Sequence, residues 1–90
     1  MHILLYEYVE DVARRREPFR EQHLALLRKL HEQGIVRMAG AFSDPLDGAA
    51  IVFATNDRKV VESFIEQDPY VQNGLVPSWR IRAWNVVIGE

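Results

Sequence analysis

No cysteine occurs among the 90 residues. Its absence removes disulfides, thiolate metal ligands and cysteine nucleophiles together, and leaves the redox compartment unread. An excess of basic charge is also missing: 11 Lys and Arg stand against 13 Asp and Glu, a formal net charge of -2. A protein held on nucleic acid by phosphate contacts needs the opposite balance. Long apolar runs are absent too. Ile3-Leu4-Leu5-Tyr6 is broken by Glu7 and lacks the basic flank of a signal peptide. His2, His23 and His31 are scattered, with no His-x-x-x-His spacing, so no metal site is expected. With no repeat or linker either, the expectation is a single cytoplasmic domain, residues 1–90, with neither nucleic acid nor membrane as a partner.

What is present is apolar periodicity. Phe19, His23, Leu26, Leu27 and Leu30 recur at i, i+4, i+7, i+8 and i+11, the inner stripe of a helix between Arg16 and Gly34. Pro18 is acceptable in its first turn, and Gly34 closes it. The only polar member of that stripe is an imidazole, which needs a partner once buried. His2 to Val9 reads as a central strand buried on both faces, and Glu10 to Arg15 as a polar loop. Ile35 to Phe42 reads as a second strand with a bulge or close approach at Gly40, Ser43 to Gly48 as a turn, and Ala49 to Thr55 as a third strand. Val60, Val61, Phe64 and Ile65 mark a second amphipathic helix, capped by Asn56 or Asp57 and stopped at Asp68-Pro69. Tyr70 to Ser78 reads as a connector, and the alternating segment Trp79 to Ile88 as the last strand.

The order strand, helix, strand, strand, helix, strand is that of an α+β, ferredoxin-like βαββαβ fold with a four-stranded antiparallel sheet. Right-handed crossovers then gather the start of the first helix, the Ser43 to Gly48 turn and the end of the second helix at one end of the sheet. Asp68 is thereby brought to His23. A carboxylate that accepts an imidazole N–H fixes the tautomer and makes the other ring nitrogen a better base. Arg20 lies about one helical turn before His23 and Arg16 about another turn earlier, both placed to present positive charge to an anionic ligand. Ser43 and Tyr70 join them as candidate substrate contacts. Two helices cover only one face of such a sheet. The other face calls for a partner, most simply a second copy joined sheet to sheet.

The string Arg20-x-x-His23-Leu24, Gly34, the strand holding Gly40, and Asp68-Pro69-Tyr70 followed by Gly74-Leu75-Val76 together resemble the YCII-related (YciI-like) family, over nearly the whole chain. The resemblance implies a ferredoxin-like subunit of dimeric α+β barrel type, a homodimer through the open sheet face, and an active site that pairs a histidine with an aspartate. His23 stands at the histidine of the family's Arg-x-x-His-Leu string, and Asp68 at the aspartate of its Asp-Pro-Tyr string. The activity implied is dehydrochlorination of a chlorinated hydroxyhydroquinone, an elimination for which the dyad supplies the base. Two positions depart from the pattern. Ala41 follows Gly40 where a proline often stands, and the Ser43 to Gly48 turn is short, which leaves the pocket roof more open.

Each signal also has a plain reading. His23 can be a packed histidine bonded to a carbonyl, and Asp68 a helix stop. Arg20 can be a solvated residue paired with Glu17 or Glu21, Arg14-Arg15-Arg16 a solvated turn, and Tyr70 and Trp79 packing residues. Two functions follow. One is a cofactor-independent lyase or isomerase-like enzyme: His23, oriented by Asp68, takes a proton from a hydroxylated aromatic, with or without halogen, or a similar anionic small molecule, and Arg20 stabilises the anion. The other is a non-catalytic small-molecule or anion-binding accessory protein on the same scaffold. The separation of the His23 ring from the Asp68 carboxylate, and the access of the free ring nitrogen to a pocket, distinguish them.

Overall fold

Alternation along β1 (His2–Glu7) turns His2, Leu4 and Tyr6 toward the helices, while Ile3 and Leu5 are half-buried and Glu7 is exposed on the other face. Antiparallel partners flank it on both sides. Leu4 sits opposite Ile51 of β3 (Gly48–Phe53) and opposite Ile81 of β4 (Ser78–Ala83). With β2 (Val36–Ala41) outside β3, the strand order is β2-β3-β1-β4. The computed structural model, which describes residues 1–89, is therefore a four-stranded antiparallel α+β fold with ferredoxin-like connectivity.

The helical layer follows from two apolar stripes. On α2 (Glu17–Glu32), His23 and Leu27 are buried while Phe19, Leu26 and Leu30 pack at the core's edge. Pro18 lies in the first turn, and Gly34 adopts the positive φ of 77° that ends the segment. On α3 (Arg58–Gln67), Val61, Phe64 and Ile65 face inward, and Asp57 caps the start by accepting from the Lys59 N–H at 3.0 Å. Phe64 meets Phe53 edge-on, with ring centroids 5.6 Å apart.

Five local features differ from the pattern read off the residues. Glu10 to Arg15 is not all loop: α1 (Val12–Arg15) is a single turn, entered through Asp11 in the left-handed region and anchored by buried Val12. Tyr70 to Ser78 likewise opens with a turn of helix, α4 (Pro69–Gln72), for which Asp68 is the N-cap. The irregularity in β2 lies between Val36 and Met38, and Gly40 pairs in register with Ala50. Finally, β4 stops at Ala83 and not at Ile88. The last register pair is His2 with Ala83, and beyond it the Trp84 N–H reaches the Met1 carbonyl. β1 is fully buried on its helical face alone.

Candidate active site

Asp68 stands where α3 ends and α4 begins, and none of its surface is exposed. A buried carboxylate is costly unless its oxygens are bonded, and here three donors meet it. The His23 Nδ1–H donates to Oδ1 at 2.7 Å, the Tyr70 backbone N–H donates to the same oxygen at 3.1 Å, and the Tyr6 hydroxyl donates to Oδ2 at 2.7 Å. Because an ionised carboxylate only accepts, the contact assigns the His23 proton to Nδ1 and leaves Nε2 with the lone pair. The Tyr70 ring lies flat on the imidazole, with centroids 3.7 Å apart and planes 6° from parallel, so the ring is held in plane as well as in direction.

His23 lines a cavity of about 220 Å³ between α2 and the inner face of β2 and β3. Small residues make the room. Ala39, Gly40, Ala41 and Ala49 form the sheet wall, Leu24 and Leu27 the helix wall, and Tyr8, Tyr70, Arg16 and Arg20 the rest. Both guanidiniums are partly buried, and no carboxylate lines the cavity with them. Among the described residues, Arg16 Nε is the buried side-chain nitrogen that lacks a hydrogen-bond partner. An unpaired buried donor in a cation-lined cavity is complementary to an anion.

The phenols feel the same environment. Burial pushes Tyr6 well above the ordinary phenol range, and the Asp68 carboxylate adds to the shift through charge and hydrogen bond. Burial also raises Tyr8, with Tyr70 and Asp68 adding, and Arg16 and Arg20 pulling it partway back. Tyr70 is raised by burial against the opposing pull of Arg16 and Arg20. All three of the chain's tyrosines therefore stay protonated through neutral pH, as donors and not as bases.

Of the residues picked out in the sequence, the structure brings together His23, Asp68, Arg16, Arg20 and Tyr70. Ser43 lies apart. It is exposed in the β2 to β3 connection and does not line the cavity. In the basic run, Arg14 and Arg15 are solvated while Arg16 turns in. His2, the first residue of β1, is buried, with its Nδ1 2.9 Å from the Thr55 carbonyl. His31 bonds the Val36 carbonyl at 2.8 Å. Among the described residues, no group of three His, Asp or Glu is placed to hold a metal. Nor is any helix there long and apolar enough to cross a membrane. The sequence reasoning missed Tyr6 and Tyr8 as site residues. The available signal was a hydroxyl-bearing ring at Tyr6, in phase with buried Leu4.

A ferredoxin-like fold whose helix-to-sheet cavity is lined by a carboxylate-bonded imidazole and two guanidiniums defines the class: a small α+β protein with a charged cavity between its helices and its sheet. Within that class, the chain belongs to the YCII-related domain family, whose model matches residues 1–85. Among solved structures it is similar to 5-chloro-2-hydroxyhydroquinone dehydrochlorinase (TftG) from Burkholderia phenoliruptrix, in complex with 2,5-dihydroxybenzoquinone. The TM-score is 0.77 at 21% identity, over 94% of each chain. No curated protein matches the sequence.

Proposed function

We propose that the protein is a cofactor-independent lyase of the dehydrochlorinase kind, with His23 as general base and Asp68 as its orienting partner. The substrate is a small hydroxylated aromatic, with or without halogen, or a similar anion. The observation that carries this reading is the 2.7 Å bond from His23 Nδ1 to buried Asp68, on a ring that also lines the cavity. Nε2 takes the acidic substrate proton. The electron pair left behind moves into the substrate, and the leaving group departs with its bonding pair as halide. Asp68 stabilises the imidazolium formed, and Arg16 and Arg20 hold the anion that develops. The name and ligand of the similar dehydrochlorinase agree in kind, as an elimination catalyst with a planar oxygenated ring bound.

Halide release from a panel of hydroxylated haloaromatics tests the reading. Wild type is expected to turn over at least one member. His23→Ala lowers kcat/KM by about 10²- to 10⁴-fold, the usual worth of a positioned base, and Asp68→Asn follows in the same direction. Arg20→Ala acts mainly on KM. Equal turnover in wild type and both dyad variants overturns the mechanism. The unpaired Arg16 Nε also suits the accessory-protein reading, in which the cavity only holds an anion. Saturable binding of 2,5-dihydroxybenzoquinone, weakened by Arg16→Ala and Arg20→Ala but with no panel member consumed, selects that alternative.

The second part of the proposal is a homodimer through the sheet face opposite the helices. That face carries half-buried Ile3, Leu5 and Ala50 around buried Val52, with Met38 at 67% exposed on one side and Arg80 and Arg82 of β4 on the other.

A further inference from the structure

We propose that Tyr6 is a positioning residue, whose hydroxyl fixes the plane of the Asp68 carboxylate and moderates its pull on His23. The inference rests on the reading of His23 as a base and adds the group that tunes it. Asp68 lies at a junction between helices, and the terminal torsion of an aspartate is soft, so one bonded oxygen leaves the carboxylate free to rock about that contact. The second oxygen is pinned by Tyr6 at 2.7 Å. Tyr6 itself belongs to the interior strand β1, between Ala49 of β3 and Trp79 of β4, and is 2% exposed. The dyad is thus tied to an interior strand of the sheet through a contact that lies outside the cavity. Tyr6 is absent from the cavity lining, where Tyr8 and Tyr70 are the phenols present.

The bond also divides the carboxylate's charge. A donor on Oδ2 draws density away from Oδ1 and weakens its attraction for the imidazolium. The groups facing the ring are few. Arg16 and Arg20 come from the α2 side, Tyr8 from the end of β1, and Tyr70 and Asp68 from the segment after α3. β2 and β3 contribute only Ala39, Gly40, Ala41, Ala49 and Ile51. Among the described residues Asp68 is the acid bonded to the ring, so a change on its far oxygen is read directly in the His23 Nδ1–H bond.

Tyr6→Phe keeps the packed ring and removes only the hydroxyl. With the neutral imidazole followed by NMR, the expected result is a downfield move of the His23 Nδ1–H proton relative to wild type, because the undivided carboxylate charge strengthens that bond. A purely structural role lowers the melting temperature and leaves that proton in place, and this result overturns the proposal. A second measurement needs no variant: in wild type, the Tyr6 hydroxyl proton should be shifted downfield and exchange slowly with water. A freely exchanging hydroxyl contradicts the proposal even where Tyr6→Phe fails to fold. Neither readout involves turnover. The tuning can therefore stand while the lyase reading fails, or fall while it holds.

Discussion

Asp68 concentrates the site's energetics in one side chain. Replacing it with alanine leaves the buried Tyr6 hydroxyl and His23 N–H without the acceptor they share. Each buried donor left unmet costs about 1–3 kcal/mol, so Asp68→Ala is expected to lose about 3 kcal/mol or more in urea unfolding, and Asp68→Asn distinctly less. The tyrosines give a second residue-level outcome. Their folded phenols hold the proton more tightly than unfolded ones, so the stabilisation is complete below the ordinary phenol pKa of about 10 and is lost as pH rises above it. The urea midpoint should fall above about pH 10, and tyrosinate absorbance of the folded chain should lag that of the unfolded chain. Coincident curves would contradict the burial argument. His23 and Asp68 were legible in the sequence because one interrupts an apolar stripe and the other precedes a proline. Tyr6 was not, because nothing local shows that a phenol 62 residues upstream will meet that aspartate.

At the scale of elements, the cavity exists because neighbouring segments meet with unequal side chains. α1 is only one turn long, yet its junction with α2 swings Arg16 inward while Arg14 stays outside, bonded to Asp11 at 2.6 Å. β3 begins at Gly48, where a Cβ would fall on the Tyr6 carbonyl oxygen and press on the Phe42 ring. Gly48→Ala must push β3 away from β1. The expected cost is about 1–3 kcal/mol, as for overpacking elsewhere, with the Tyr6 to Asp68 contact disturbed along with it. A thermal melt at or above the wild-type temperature would refute the close approach. α2 and α3 were readable because each carries more than one turn of inward apolar spacing. α1 and α4 have too few residues to show any period, and β4 ends where its partner ends, which the alternation through Ile88 does not reveal.

For the molecule as a whole, the order of elements was enough to place the first helix and the end of the second on the same face of one sheet, because handedness leaves few alternatives. What that order cannot specify is the occupant of the open face. The homodimer proposed for it predicts that wild type sediments at twice its monomer mass, and that Leu5→Arg, a charge in the middle of that face, yields a folded monomer. A monomeric wild type would remove the proposal and leave the cavity, on the opposite face, as described. The cavity's chemistry depends on the proton that His23 carries on Nδ1, facing Asp68, while Nε2 is left as the acceptor. Imidazole ¹⁵N spectra of the neutral ring measure this directly. The account predicts a protonated Nδ1 and an unprotonated Nε2 whose resonance moves when 2,5-dihydroxybenzoquinone is added. A proton resident on Nε2 would contradict it.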